Sequence, residues 1–229
     1  MTVVSRRWGW MAGAGALLVA LANGATAQGK RTASFTVTAV QSSPGGQLTM
    51  TSQVWATSSS ARADIKHPLA GSMRVLVNGP HLFQLDPAGK KGVRGPLPPG
   101  LAKSPDKLPA FIEMLALGTP GSFANAKRLR TETVAGYTCD VYTSAKNQGG
   151  AKGSLTVWMP QKMEPKFPVK AMIKRNVQKP GVSVNETLTI TLSNIKLNAA
   201  IPASVFAVPA GYKITEGKPP APKGPGGGK

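Results

Sequence analysis

The sequence predicts an α+β domain, a long antiparallel sheet interrupted near its middle by one amphipathic helix. Three observations carry this reading. Many stretches alternate apolar and polar residues, turn-forming residues separate them at short intervals, and a single stretch changes to the helical period. The clearest strand runs from Val182 to Leu192, where Val182, Val184, Leu188, Ile190 and Leu192 face one way and Ser183, Asn185, Thr187, Thr189 and Thr191 the other. A strand of this kind buries one face and leaves the other in water.

The same alternation recurs along the chain. Leu48, Met50 and Val54 oppose Thr49, Thr51 and Gln53, and the segment from Lys152 to Met159 carries Leu155 and Val157. Further strands are expected at Ala33 to Val40, Ala61 to His67, Met73 to Val77, Leu82 to Leu85, Arg128 to Val134, Tyr137 to Ser144 and Val169 to Val177. Pro44-Gly45-Gly46, Asn78-Gly79, Pro87-Ala88-Gly89, Asn147-Gln148-Gly149-Gly150 and Lys179-Pro180-Gly181 supply the turns. The order is that of a meander, with hairpin following hairpin.

The helix is expected from Ser104 onward. Ser104-Pro105-Asp106 offers an N-cap, a proline at the first helical position and an acid matched to the helix dipole, and Leu108, Phe111, Ile112 and Leu115 follow at helical spacing. Gly118 is the stop, and Pro109 limits the element to about three turns. A further short turn is expected over Pro202 to Phe206. The apolar stripe of the helix must be buried, and the inner face of the sheet is the large apolar surface that can receive it; a curved sheet closed by a helix encloses a pocket.

The ends of the chain differ in character. Arg6 and Arg7 precede a mildly apolar stretch from Trp10 to Ala22 and then Ala25-Thr26-Ala27, which together read as a secretory signal peptide over residues 1–27. The domain is expected over 28–214, in the periplasm or secreted, with the secretory and twin-arginine routes both open. Residues 215–229, ending in GKPPAPKGPGGGK, hold too little apolar area for a core and are expected to be a disordered tail.

Composition narrows function. The chain has 229 residues, with 28 Lys and Arg against 9 Asp and Glu and a formal net charge of +19. Such a balance favours anionic partners: acidic headgroups, a cell-wall polymer or an acidic protein. Nucleic acid is not expected, because aromatic residues are few and no recognition helix is visible. Cys139 is the single cysteine, so no internal disulfide can form. His67 and His81 have no carboxylate or cysteine at metal-ligand spacing, and the carboxylates form no local pair for acid–base work. Asp64, between Arg62 and Lys66, reads as a same-face charge partner on a strand. Neither an enzyme nor a cofactor is expected.

The stretches GQLTMTSQVW, ARADIKHP, RVLVNGPHLFQLDP, GYTCDVY, GSLTVWM and PASVFAVPAGYKI, in that order around one amphipathic helix, resemble the periplasmic lipoprotein carrier superfamily, the LolA/LolB-like proteins. The hairpin at VLVNGPHLFQLDP and the closing S-x-F-x-x-P-x-G-Y are the most specific pieces, and the likeness covers about Ser34 to Ile214. The resemblance implies a strongly curved antiparallel sheet, an incomplete β-barrel, with a short helical lid on its concave side and acyl chains held between. In the carrier an arginine after the Trp-containing strand helps hold the lid shut; WATSSSAR has serines there and offers Arg62 in a shifted position.

On this basis the expected function is non-enzymatic: binding lipid or lipoprotein acyl chains, as a monomeric carrier. The cavity candidates are Met50, Val54, Val75, Val77, Phe83, Leu85, Leu155, Val157, Leu188, Ile190 and Leu192, under a lid of Leu108, Phe111, Ile112 and Leu115. The alternative is an envelope interaction or stress-sensing module that uses its basic surface and tail to bind an anionic membrane, a wall polymer or an acidic envelope protein.

Overall fold

The computed structural model describes residues 31–104, 108–112, 126–148, 151–179 and 182–217. The expected signal peptide, Pro105, Asp106, Leu115, Gly118 and all but the first three residues of the expected tail lie outside them. Twelve strands occur among the described residues: β1 (Thr32–Ser43), β2 (Gly46–Thr57), β3 (Ala61–His67), β4 (Gly71–Asn78), β5 (His81–Asp86), β6 (Lys91–Pro96), β7 (Lys127–Val134), β8 (Tyr137–Gln148), β9 (Ala151–Pro160), β10 (Lys170–Lys179), β11 (Val182–Leu197) and β12 (Lys213–Glu216). A short helix α1 (Pro99–Ala102), helical residues 108–112 and a 3-10 turn at Ala203–Phe206 complete the fold.

The strands form one curved, unclosed sheet in the order β12-β6-β5-β4-β3-β2-β1-β11-β10-β9-β8-β7. All neighbours are antiparallel except β12, which lies parallel to β6. The long β1 joins the two halves: it pairs with β2 from Thr32↔Thr57 to Ser43↔Gly46, and on its other side with β11. The β1–β11 register shifts between Ser34 and Thr36, and Asn194 opposite has φ +53°, the left-handed backbone of a bulge. The β4–β5 hairpin turns through Gly79 and Pro80, with Gly79 at φ +58°. A positive φ at the first loop position followed by proline suits a type II′ turn, whose twist matches that of the flanking strands.

Because side chains alternate along a strand and partners across strands share a face, the register assigns each residue to a side. On the concave side Met50, Ala39, Ile190, Ala171, Val157 and Tyr142 stand next to one another on successive strands. Leu82, Val77, Ala61, Ala56 and Ala33 make a second row toward the other end of the sheet. At this second end the small alanines leave room, and Leu101, Leu108, Phe111, Ile112, Met163 and Phe167 join them in one buried cluster. The Phe35 and Phe167 rings meet there, centroids 6.0 Å apart and tilted by 32°. Here the sheet is closed by its own helical residues and by the β9–β10 connection.

A smaller core lies on the convex side. Leu76 and Leu85 are fully buried, yet register places them opposite the faces of Val75 and Val77, and the buried Phe206 of the C-terminal 3-10 turn lies outside the main cluster with them. The 3-10 turn packs on β3 and β4, where the side-chain amide of Asn78 donates to the Phe206 carbonyl at 3.3 Å. Strands β6 and β12 carry weak alternation in sequence because β6 reads Lys-Gly-Val-Arg-Gly-Pro. Gly92 has a packing reason: a Cβ there would come within 2.4 Å of a Leu85 methyl and 2.8 Å of an Ile214 methyl. The sheet also extends to Glu216, two residues beyond the expected domain end.

Phe35 fixes the closed end, since its side chain is fully buried against Phe167 and the rows beside it offer only small residues to refill the space. Phe35→Ala is expected to lower unfolding free energy by about 3–5 kcal/mol, measured by urea denaturation, with Thr38→Ala on the opposite face lowering it by less than about 1 kcal/mol.

Candidate functional site

The concave face divides into a filled end and an open end. Of the residues expected to line a cavity, Val54, Val77, Leu155, Val157, Ile190 and Leu192 are between 0% and 4% exposed and belong to the continuous core. Met50, Val75 and Leu188 share that face but are only half-buried. Phe83 and Leu85 are elsewhere: Phe83 pairs with Leu76 and Leu85 with Arg74, so both point from the convex face and cannot share a cavity with Val75 and Val77. An alternating strand read without its partners leaves the inward face unassigned, and the apolar stretch from Leu82 to Leu85 invited the wrong half.

The helical side chains lie over the filled end. Leu108, Phe111 and Ile112 are at most 1% exposed and sit in the same buried cluster as Phe35, Val54 and Val157. Leu101 of α1, which the sequence pattern did not single out, joins them. Toward the other end, the row from Met50 through Ala39 to Tyr142 is followed by Leu48, Leu188 and Ile173, all half-buried. Ala39, Tyr142, Leu48 and Ile173 add to the predicted candidates, and cross-strand pairing, rather than any motif, identifies them. What this arrangement offers chemically is apolar area with few polar groups, Gln41 and Ser144 being the interruptions in the outer row.

The convex side holds a polar cluster. Arg62 donates from Nε and Nη2 to the two carboxylate oxygens of Asp64 at 3.0 and 2.5 Å, and Arg74 donates from Nε and Nη2 to the same oxygens at 2.7 and 3.2 Å. Arg62 also donates to the Val205 carbonyl at 3.3 Å, and its guanidinium lies 5.0 Å from the Trp55 ring centre. Asp64 therefore pairs along its strand with Arg62 and across to Arg74, and Lys66 is not its partner. Burial opposes ionisation of Asp64, but the hydrogen bonds and charges of Arg62 and Arg74 outweigh it and hold the carboxyl below the ordinary aspartate range. Arg62 is committed to this face, so it does not reach the helical residues on the other side of the sheet. Its contacts anchor the C-terminal segment.

Other polar groups have local roles. The Nδ1 of His67 accepts the backbone N–H groups of Leu69 and Ala70 at 3.1 and 2.9 Å and closes the β3–β4 turn. His81 packs edge-on against Phe83. Cys139 is fully buried, and burial pushes its thiol up, away from the reactive thiolate. Among the described residues no group of His, Cys, Asp and Glu side chains is placed to hold a metal ion. An open depression of about 420 Å³ at the β6–β12 edge is lined by Pro80, His81, Arg94, Pro96 and Glu216, where an Arg94–Glu216 ion pair ties the last strand to the sheet.

No protein-family profile and no curated protein matches this chain. Solved structures do overlap it. An uncharacterized conserved protein from Thermus thermophilus superposes with a TM-score of 0.49 at 9% identity, covering 81% of this chain and 90% of that one. The lipoprotein LppX of Mycobacterium tuberculosis gives 0.38 at 13% identity, covering 74% and 88%. The MucA/MucB complex of Pseudomonas aeruginosa gives 0.41 at 14% identity, covering 78% of this chain and 56% of that one, so the chain spans about half the length of that neighbour. LppX and MucB have the LolA-like lipoprotein-carrier fold. The likeness concerns architecture alone, and the functional reading rests on the side chains.

The Asp64 cluster makes a pH-dependent contribution with a definite sign. A carboxyl depressed in the folded state adds stability that is present above its unfolded pKa, ~3.9, and is lost as pH falls through the lower folded value. Asp64→Asn is expected to destabilise the protein at pH 6 and to differ much less from the parent at pH 2.5, read by urea unfolding at the two pH values. An equal difference at both would show that the ion pairs contribute nothing.

Proposed function

We propose that the protein is a non-enzymatic envelope carrier that holds lipid or lipoprotein acyl chains against the open end of its concave face. The observation that supports this is the set of half-buried apolar side chains Met50, Ala39, Leu48, Leu188, Ile173 and Tyr142 on two adjacent concave rows, beside the buried Ile190, Ala171, Val157 and Leu155 of the same rows. The half-buried stretch from Leu48 to Ile173 crosses three strand spacings of ~4.8 Å, roughly 14 Å. An acyl chain asks for apolar area and little else, at about 0.8 kcal/mol per methylene removed from water.

Val54, Val77 and Leu192 belong to the closed end, whereas Ile190, Val157 and Leu155 are buried members of the Met50 and Leu188 rows, and all six would meet cargo only if what covers them moved. The lid role of Leu108, Phe111 and Ile112 belongs to this proposal. Periplasmic or secreted localisation, the signal peptide over 1–27 and a monomeric state are parts of the same reading, and they suit a protein that meets acyl chains outside the cytoplasm.

Period-two geometry gives the test its control. Leu188 faces the concave side and Thr189 the convex side of the same strand. Protein purified from cells at native composition should carry co-purified lipid by native mass spectrometry. Leu188→Asp is expected to weaken binding of a fluorescent fatty acid by at least about tenfold, more than 1.4 kcal/mol, and Thr189→Asp by less than about twofold. Empty spectra together with equal effects of both substitutions would refute the proposal.

A further inference from the structure

The convex face of β2, β1, β11 and β10 is a surface that the acyl-binding reading does not use. The C-terminal 3-10 turn packs on β3 and β4. Beside it one row of side chains runs Lys66, Thr51, Thr38, Thr191, Lys170 across five strands. At ~4.8 Å per strand the two lysines stand roughly 19 Å apart with hydroxyls between them. Lys174, four residues beyond Lys170 on the same side of β10, pairs across to Thr187 and carries the cationic flank along the strand. Lys66, Thr51 and Lys174 are exposed.

Lys170 acts on the Glu132 carboxylate, whereas among the described residues no ion pair engages Lys66 or Lys174. The strand carboxylates of this face are each occupied: Asp64 by Arg62 and Arg74, Glu132 by Arg130 and the Trp158 indole N–H, and Glu216 by Arg94. Trp55 and Trp158 are occupied as well, under the Arg62 guanidinium at 5.0 Å and the Lys170 ammonium at 4.6 Å. Among the described residues these two rings are therefore not free to stack a base, as single-stranded nucleic acid would require. Val40 and Met172, on this face between the Lys170 and Lys174 rows, are half-buried, and a convex surface meets a flat bilayer along a narrow strip only. An extended polymer can follow the curve.

We infer that this face binds an acidic polysaccharide, its carboxylates meeting Lys66, Lys170 and Lys174 and its hydroxyls meeting the threonine rows. Lysine ammonium groups are mobile donors suited to carboxylates at irregular spacing, and threonine hydroxyls both donate and accept. Binding of this type is weak per contact and falls as salt rises. It is independent of cargo on the concave side.

The test uses the full chain and oligogalacturonate as the probe, with neutral dextran, phosphatidylglycerol vesicles and polyglutamate as comparators, by calorimetry at low salt. Oligogalacturonate is expected to bind and dextran not to. The pair K66E/K174E is expected to weaken that binding by about tenfold or more. An isocharge pair elsewhere, K103E/K162E at exposed positions of the closed end, is expected to weaken it by less than about twofold. Thr38→Val with Thr191→Val, which keeps the charge, should weaken oligogalacturonate binding severalfold and leave polyglutamate unchanged. Circular dichroism confirms folding of each variant. The inference is overturned if both charge pairs act equally, if the threonine variant has no effect, or if vesicles or polyglutamate bind more tightly and show the same losses.

Discussion

The structure depends on the double pairing of β1, held by β2 on one side and β11 on the other. This strand brings the first described residues against a late segment of the chain, so neither half of the sheet has a buried edge beside the core. It also sets the faces. A one-residue slip of β1 would turn Phe35 and Val37 outward and Thr36 and Thr38 inward. The buried Phe35 and the pairing of Thr36 Oγ with the Gln53 side-chain oxygen at 3.1 Å on the other side both oppose such a slip. The Asn194 bulge absorbs the mismatch where β11 bends around the closed end.

From that register follow two surfaces with different physics. The concave side is apolar, and its use is decided by how far the protein fills it with its own side chains. At the alanine-rich end Leu101, Leu108, Phe111 and Phe167 complete a core; in the rows of Met50 and Leu188, Ile190, Val157 and Leu155 are buried while Met50, Leu48, Leu188 and Ile173 are left half-covered. The convex side is mixed: Leu76, Leu85 and Phe206 are buried there, Trp158 and Val141 farther along, and the acids Asp64, Glu132 and Glu216 are each paired with arginine. Arg62 in particular is spent on Asp64 and the Val205 carbonyl, which ties the C-terminal segment to the outside of the sheet instead of controlling what happens inside.

Much of this was legible in the sequence because strict alternation is a local signal. The strand from Val182 to Leu192 and the turn at Asn78-Gly79 need no partner to be recognised. Strands β6 and β12 were not legible, since Lys-Gly-Val-Arg-Gly-Pro owes its strand to Gly92, which permits Leu85 and Ile214 to approach, and that is a tertiary reason. The site was harder still. Residues such as Val54 and Val157 look like cavity lining in sequence and are core in space, whereas Ala39 and Ile173 gain their place from neighbours across the sheet. Phe83 and Leu85 show the same limit from the other direction: alternation gives two faces, and only pairing says which one is inside.

The central claim, that acyl chains lie on the open end of the concave face, is tested most directly by photo-crosslinking. A fatty acid with a diazirine near its terminal methyl is bound to the purified full chain, irradiated, and the modified residues are mapped by peptide mass spectrometry. Adducts confined to Met50, Leu48, Ile173, Leu188 and Tyr142, and competed by unlabelled fatty acid, are the predicted result. Adducts spread over convex residues such as Thr51 and Met172, or none that competitor removes, would contradict it.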